Sequence, residues 1–126
     1  MNLSDLTPSQ RAAICNGCGS KGWPFGWLRP AKLCYSAACD EHDLRYFIGG
    51  TEADRRAADN ALWIACLLAL NAWEAERPRG WLGVRLRGIA AGIFWIAVRL
   101  GGEAAFHYGP QRTVADLPTA TDLEGA

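Results

Sequence analysis

Three stretches of the chain read as helices, and glycine and proline separate them. The first runs from Ser36 to Ile48: Ser36 can cap it and Gly49-Gly50 stop it. Thr51 opens the second, with Asp54 three residues on, close to a capping box. It runs to about Glu76, before Pro78, and its interior, ADNALWIACLLALNAW, is rich in good helix formers. The Gly-Gly-Thr turn between the two predicts an antiparallel pair. The third helix spans Arg79 to Leu100 and is expected to be weaker, because Gly80, Gly83, Gly88 and Gly92 interrupt it. Its apolar residues (Trp81, Leu82, Val84, Ile89, Phe94, Trp95, Ile96, Val98) alternate with Arg85, Arg87 and Arg99.

Outside these stretches the pattern fails. Residues 1 to 14 form a polar lead-in with room for one short helix. Residues 15 to 33, CNGCGSKGWPFGWLRPAKL, must be a loop, since such a density of Gly and Pro breaks helices and strands alike. From Gly101 onward Gly, Pro, Thr and Asp dominate, which predicts a poorly ordered tail anchored at its start by Phe106, His107 and Tyr108. No internal repeat and no strand-like run stands out. The expectation is an all-α fold with one domain over 1–108 and a loose tail over 109–126.

Composition narrows the function. A chain of 126 residues favours one domain, and with half of them apolar it can bury a real core. Thirteen basic and thirteen acidic residues balance, so no nucleic-acid footprint is expected. The opening MNLSDLTPSQ does not read as a secretory signal. No stretch reaches the roughly 18 apolar residues of a membrane span; Gly88 to Val98 comes nearest, bracketed by Arg87 and Arg99. Five cysteines (Cys15, Cys18, Cys34, Cys39, Cys66) suggest a disulfide framework or a metal cluster, with an odd thiol left over in the first case.

The chemistry concentrates in Cys39-Asp40-Glu41-His42-Asp43-Leu44-Arg45-Tyr46. Helical spacing places Cys39, His42 and Tyr46 on one stripe with Asp43 beside His42. A histidine next to a carboxylate on a rigid element suits a base beside a metal. His42 lies about seven residues before Gly49, and Asp59 about nine after Gly50. Equal distances from a hairpin put side chains at one height, so Asp59 can hold one imidazole nitrogen and leave the other to accept a proton from water. The loop Asn16-Gly17-Cys18-Gly19-Ser20-Lys21-Gly22 can expose carbonyls in an arc, which calcium accepts readily.

Taken together, CNGCGSKG, ACDEHDLRYFIGG and ADNAL resemble the phospholipase A2 superfamily, in the style of its short bacterial and phage-borne members. The resemblance covers roughly Cys15 to Cys66. It implies a phospholipase A2-like fold, with two long antiparallel helices carrying the site, a calcium-binding loop and a third helix. It implies His42 as general base, Asp59 as its orienting partner, and Tyr46 as support for Asp59. Calcium would be held by the Asp43 carboxylate and by main-chain carbonyls of Gly17, Gly19 and Lys21. Calcium and a loop amide would stabilise the oxyanion. The substrate would be the sn-2 ester of a glycerophospholipid at a membrane surface. A disulfide between Cys18 and Cys39 would pin the loop to the first helix, for about 3 kcal/mol by loop entropy. Ala38, Arg45 and Lys21 stand where animal members usually have two cysteines and a glycine. Calcium and disulfides lean towards action outside the cytosol.

Two other readings compete. Cys15, Cys18, Cys34 and Cys39 or His42 could bind zinc in a binding module, although Cys34 and Cys39 are poorly spaced for a second half-site. The fold could also serve as a catalytically silent binding protein. Trp63 and Trp73 are expected in the core, Cys66 as a buried thiol, and Arg85, Arg87 and Arg99 on a solvated helix face.

Overall fold

The computed structural model describes residues 1–15, 34–76 and 81–125. Five α-helices lie among them: α1 (Pro8–Ile14), α2 (Ser36–Ile48), α3 (Glu52–Glu76), α4 (Trp81–Gly101) and α5 (Ala120–Glu124). Short 3-10 turns at Leu3–Asp5, Gly102–Ala105 and Val114–Asp116 complete them. The fold is all-α; among the described residues the one extended pairing is an isolated parallel bridge between Gly50 and Tyr108.

The hairpin from α2 into α3 follows from local chemistry. Gly49 and Gly50 take φ of 77° and 132°, which only glycine adopts without strain. A Cβ at Gly49 would also strike the His107 carbonyl. Thr51 then starts α3 with a reciprocal cap: Asp54 N–H donates to Thr51 Oγ1 at 3.3 Å, and Thr51 N–H to Asp54 Oδ2 at 2.8 Å.

Helices α2, α3 and α4 enclose the core. Tyr35, Ala38 and Cys39 meet Leu62, Cys66 and Leu70 of α3 and Ala90, Ala91 and Phe94 of α4. The α4 glycines are seats for α3 side chains. Gly92 faces Trp63 and Gly88 faces Leu70, while a Cβ on Gly83 would come 2.9 Å from the Trp73 ring. Arg87 covers that same Trp73 ring, 3.9 Å from its centroid. Trp63 and Trp73 are thus half-buried against the core. Cys66 is fully buried and stays a thiol.

The outer face of α4 is apolar and open. Leu82, Leu86, Ile89, Ile96 and Leu100 are all more than half exposed. By length and composition Leu82–Ala105 is long and apolar enough to cross a membrane, with 17% of its most apolar window buried. The sequence expectation of no such stretch is corrected here: reading inward from the charges cut the segment at Arg87 and Arg99, yet helix and turn run on past both.

The C-terminal segment, expected to be loose, makes specific contacts. Arg112 N–H donates to the Ile48 carbonyl at 2.8 Å and Gly109 N–H to that of Gly50 at 3.1 Å. Gln10 Nε2 donates to the Pro118 carbonyl at 2.9 Å, which ties α1 to this segment. Leu117 is buried, and Phe106 packs in a small cluster with Tyr46 and Ala58.

Candidate active site

The hairpin register brings His42 and Asp59 face to face across α2 and α3. His42 Nε2 lies 2.8 Å from Asp59 Oδ1, with the two side chains 4% and 0% exposed. The Tyr46 hydroxyl, one turn beyond His42, donates to the same Oδ1 at 2.6 Å. Its ring lies 4.2 Å from the imidazole, centroid to centroid, and meets Phe106 edge-on. Gly102 closes over it: a Cβ there would come within 2.5 Å of the Tyr46 hydroxyl.

The other carboxylate oxygen faces arginine. Arg99 of α4 donates from Nη1 to Asp59 Oδ2 at 2.8 Å, and Arg55 Nη1 stands 3.6 Å away. Glu52 gathers the remaining donors. It accepts from Arg55 Nε at 2.9 Å, Arg99 Nη2 at 3.1 Å and the Tyr108 hydroxyl at 2.7 Å. A buried carboxylate is costly unless paired and hydrogen-bonded. Asp59 is both, from three helices at once.

Protonation follows from these contacts. Burial pushes the Asp59 carboxyl up, but hydrogen bonds from His42, Tyr46 and Arg99 outweigh it and hold the group below its usual range. Asp59 is therefore an anion that only accepts. His42 Nε2 must carry the proton it shares with Asp59, which makes Nδ1 the basic nitrogen of the neutral ring. Burial, then the bond to Asp59, pushes the Tyr46 phenol well up, so it remains a donor. Hydrogen bonds from Arg55, Tyr108 and Arg99 pull Glu52 down to about 2.

Asp43 is half-buried and lines a cavity of about 300 Å³ with Tyr46, Phe47 and Arg112. Ala13, Ile14, Ala105 and Pro118 supply its apolar wall. Nearby, the Cys15 thiol is pushed up to about 11 by burial first and then by the charges of Asp40 and Asp43.

His42, Asp59 and Tyr46 thus come together, with Asp43 at the adjoining cavity. The remaining sequence candidates, Gly17, Gly19, Lys21 and Cys18, lie outside the described residues. Cys39 is disulfide-bonded, whereas Cys15 and Cys34 both remain thiols and do not join each other. Among the described residues no three His, Cys, Asp or Glu side chains are grouped to hold a metal ion. Arg55, one helical turn before Asp59 and expected near the same face of that helix, does stand beside it, 3.6 Å from Oδ2. Two members of the site were missed by sequence reasoning. Glu52 had a local signal, its i,i+3 spacing from Arg55, whereas Arg99 had none, because its contacts with Asp59 and Glu52 join distant parts of the chain.

Comparison with family models, with curated proteins and with solved structures returns no match for this chain.

Proposed function

We propose that this protein is a calcium-dependent hydrolase of the phospholipase A2 type, cleaving the sn-2 ester of glycerophospholipids. The observation that carries the proposal is the buried His42–Asp59 pair, 2.8 Å apart, beside the cavity that Asp43 and Tyr46 line. An ionised, fully buried aspartate holding one imidazole nitrogen orients the ring and stabilises its protonated form, which suits general-base catalysis. His42 Nδ1 takes a proton from water as the water attacks the ester carbonyl. Asp59 stabilises the imidazolium that forms, and His42 returns the proton to the departing glycerol oxygen. Tyr46 and Arg99 do not touch the reacting atoms; they fix the Asp59 carboxylate and hence the imidazole plane.

The residues fit calcium in part. Asp43 offers an oxygen donor at the cavity wall, and the further donors this reading expects (Gly17, Gly19, Lys21) lie outside the described residues. Held by Asp43, the ion would polarise the ester carbonyl and offset oxyanion charge. The exposed aliphatic face of α4 supports a lipid surface as partner, since an apolar patch of this kind marks an interaction site.

The test is fatty-acid release from mixed phospholipid vesicles, with calcium or with chelator, by wild type and His42→Ala. Release that needs calcium and vanishes in the variant is expected. Folded wild-type protein that releases nothing under any condition would overturn the reading.

A further inference from the structure

The geometry points to Arg112 as a phosphate-recognition residue, with the cavity it shares with Asp43 taking the phosphodiester headgroup of the substrate lipid. The lipid part of this assignment rests on the hydrolase reading; the phosphate part stands on the cavity itself. Arg112 reaches the site because the C-terminal segment folds back on α2. Its N–H donates to the Ile48 carbonyl at 2.8 Å, and its guanidinium lies over the Phe47 ring, 4.6 Å from the centroid. Nη1 donates to the Phe47 carbonyl at 3.1 Å. The ring and the two backbone contacts fix the guanidinium plane.

That fixing uses one face and one N–H of a group with five donors. Arg11, Arg45, Arg55 and Arg99 each pair with a carboxylate, whereas no ion pair among the described residues includes Arg112. A cation near the end of α2 does favour the helix dipole, and this accounts for the bond to Phe47. It does not account for a half-buried guanidinium on a cavity wall that forms no ion pair among the described residues, not even with Asp43 on the same wall. Planar, fork-shaped donors of this kind match phosphate oxygens in paired contacts.

The rest of the wall selects the class of anion. Ala13, Ile14, Ala105 and Pro118 are apolar, so the ligand must carry hydrocarbon next to its phosphate. About 300 Å³ is at the small end of ligand sites, which suits a phosphoglycerol and its ester region rather than whole acyl chains.

The experiment measures binding to His42→Ala protein in calcium, so that turnover does not interfere. Three probes are used below any micelle concentration: dihexanoyl phosphatidylcholine, dihexanoylglycerol and inorganic phosphate. Adding Arg112→Gln should weaken the phospholipid by ~10-fold or more, as loss of a charged hydrogen bond does. Dihexanoylglycerol, which lacks phosphate, should bind unchanged, and Arg112→Lys should recover part of the loss. Equal weakening of both lipids would mean that Arg112 only supports the fold, and would overturn the inference. No weakening of either would overturn it as well. Inorganic phosphate bound as tightly as the phospholipid would overturn the lipid assignment. Vesicle hydrolysis separates the two proposals. Phosphate-selective binding without hydrolysis removes the hydrolase reading alone. Hydrolysis with a KM indifferent to Arg112→Gln removes the phosphate site alone.

Discussion

Replacing Asp59 with asparagine tests the centre of the structure. The substitution keeps the shape and removes the charge. Asp59 is fully buried and accepts from His42 at 2.8 Å, Tyr46 at 2.6 Å and Arg99 at 2.8 Å. An asparagine has one acceptor oxygen. If it serves His42 and Tyr46, the amide N–H groups confront Arg99 and Arg55. Each hydrogen bond to a charged group contributes ~1.5–3 kcal/mol. Breaking a buried ion pair by removing one partner costs ~3–5 kcal/mol. Arg99 recovers some of this, because its side chain is 20% exposed and still reaches Glu52. The expected loss is therefore ~3–5 kcal/mol and not the sum of all three bonds. At ~3–5 °C per kcal/mol for a domain of this size, melting should fall by ~10–20 °C. Urea and thermal unfolding followed by far-ultraviolet circular dichroism would measure it. Arg56→Ala is the control: Arg56 is exposed on the same helix and should stay within ~0.5 kcal/mol of wild type. An Asp59→Asn loss below ~1 kcal/mol would refute the claim that one buried anion ties α2, α3 and α4 together.

Two further outcomes follow from the same geometry. Glu52 is drawn from an ordinary 4.5 to about 2 by bonds from Arg55, Tyr108 and Arg99, and Asp59 lies below its ordinary 3.8 despite burial. Both carboxyls bind protons more tightly in the unfolded chain, so their contribution is complete above about pH 4.5 and fades as pH falls towards 2. Urea midpoints measured from pH 6 to 2 should decline in that window, and Glu52→Gln should flatten the decline. A Cβ on Gly83 would meet the Trp73 ring at 2.9 Å, so Gly83→Leu should cost ~1–3 kcal/mol by overpacking. Gly101 has nothing within 4 Å of a Cβ, so Gly101→Ala should leave urea unfolding unchanged or raise stability by ~0.4–1 kcal/mol.

What the sequence disclosed was local. The bounds of α2 and α3 could be read because Gly49-Gly50 and the Thr51–Asp54 cap act within a few residues. The meeting of His42 with Asp59 could be read because a tight hairpin converts sequence distance into height. Contacts that close long loops left no such trace. Arg99 sits 40 residues from Asp59, and among apolar neighbours it looked like one more charge on a wet face. The α4 glycines looked like weakness because helix propensity ignores what lies opposite, and here Trp63 and Trp73 lie opposite. The C-terminal segment looked loose because composition measures apolar content. Its order comes from backbone bonds to Ile48 and Gly50 and from buried Leu117.

The missed residues change how the site must be interrogated. Asp59 holds the proposed base with one oxygen and the α4 arginine with the other, so loss of Arg99 reaches the imidazole through the carboxylate they share. Arg99→Ala should therefore lower activity and stability together. Tyr46→Phe removes one donor on the imidazole side while keeping the ring that packs against Phe106. Its loss of ~0.5–1.5 kcal/mol in stability is the ordinary value of one hydrogen bond. Orientation and fold draw on the same anion but through different oxygens. The two variants separate them: the larger stability loss should fall on the Oδ2 side, and a loss of turnover with little loss of stability on the Oδ1 side.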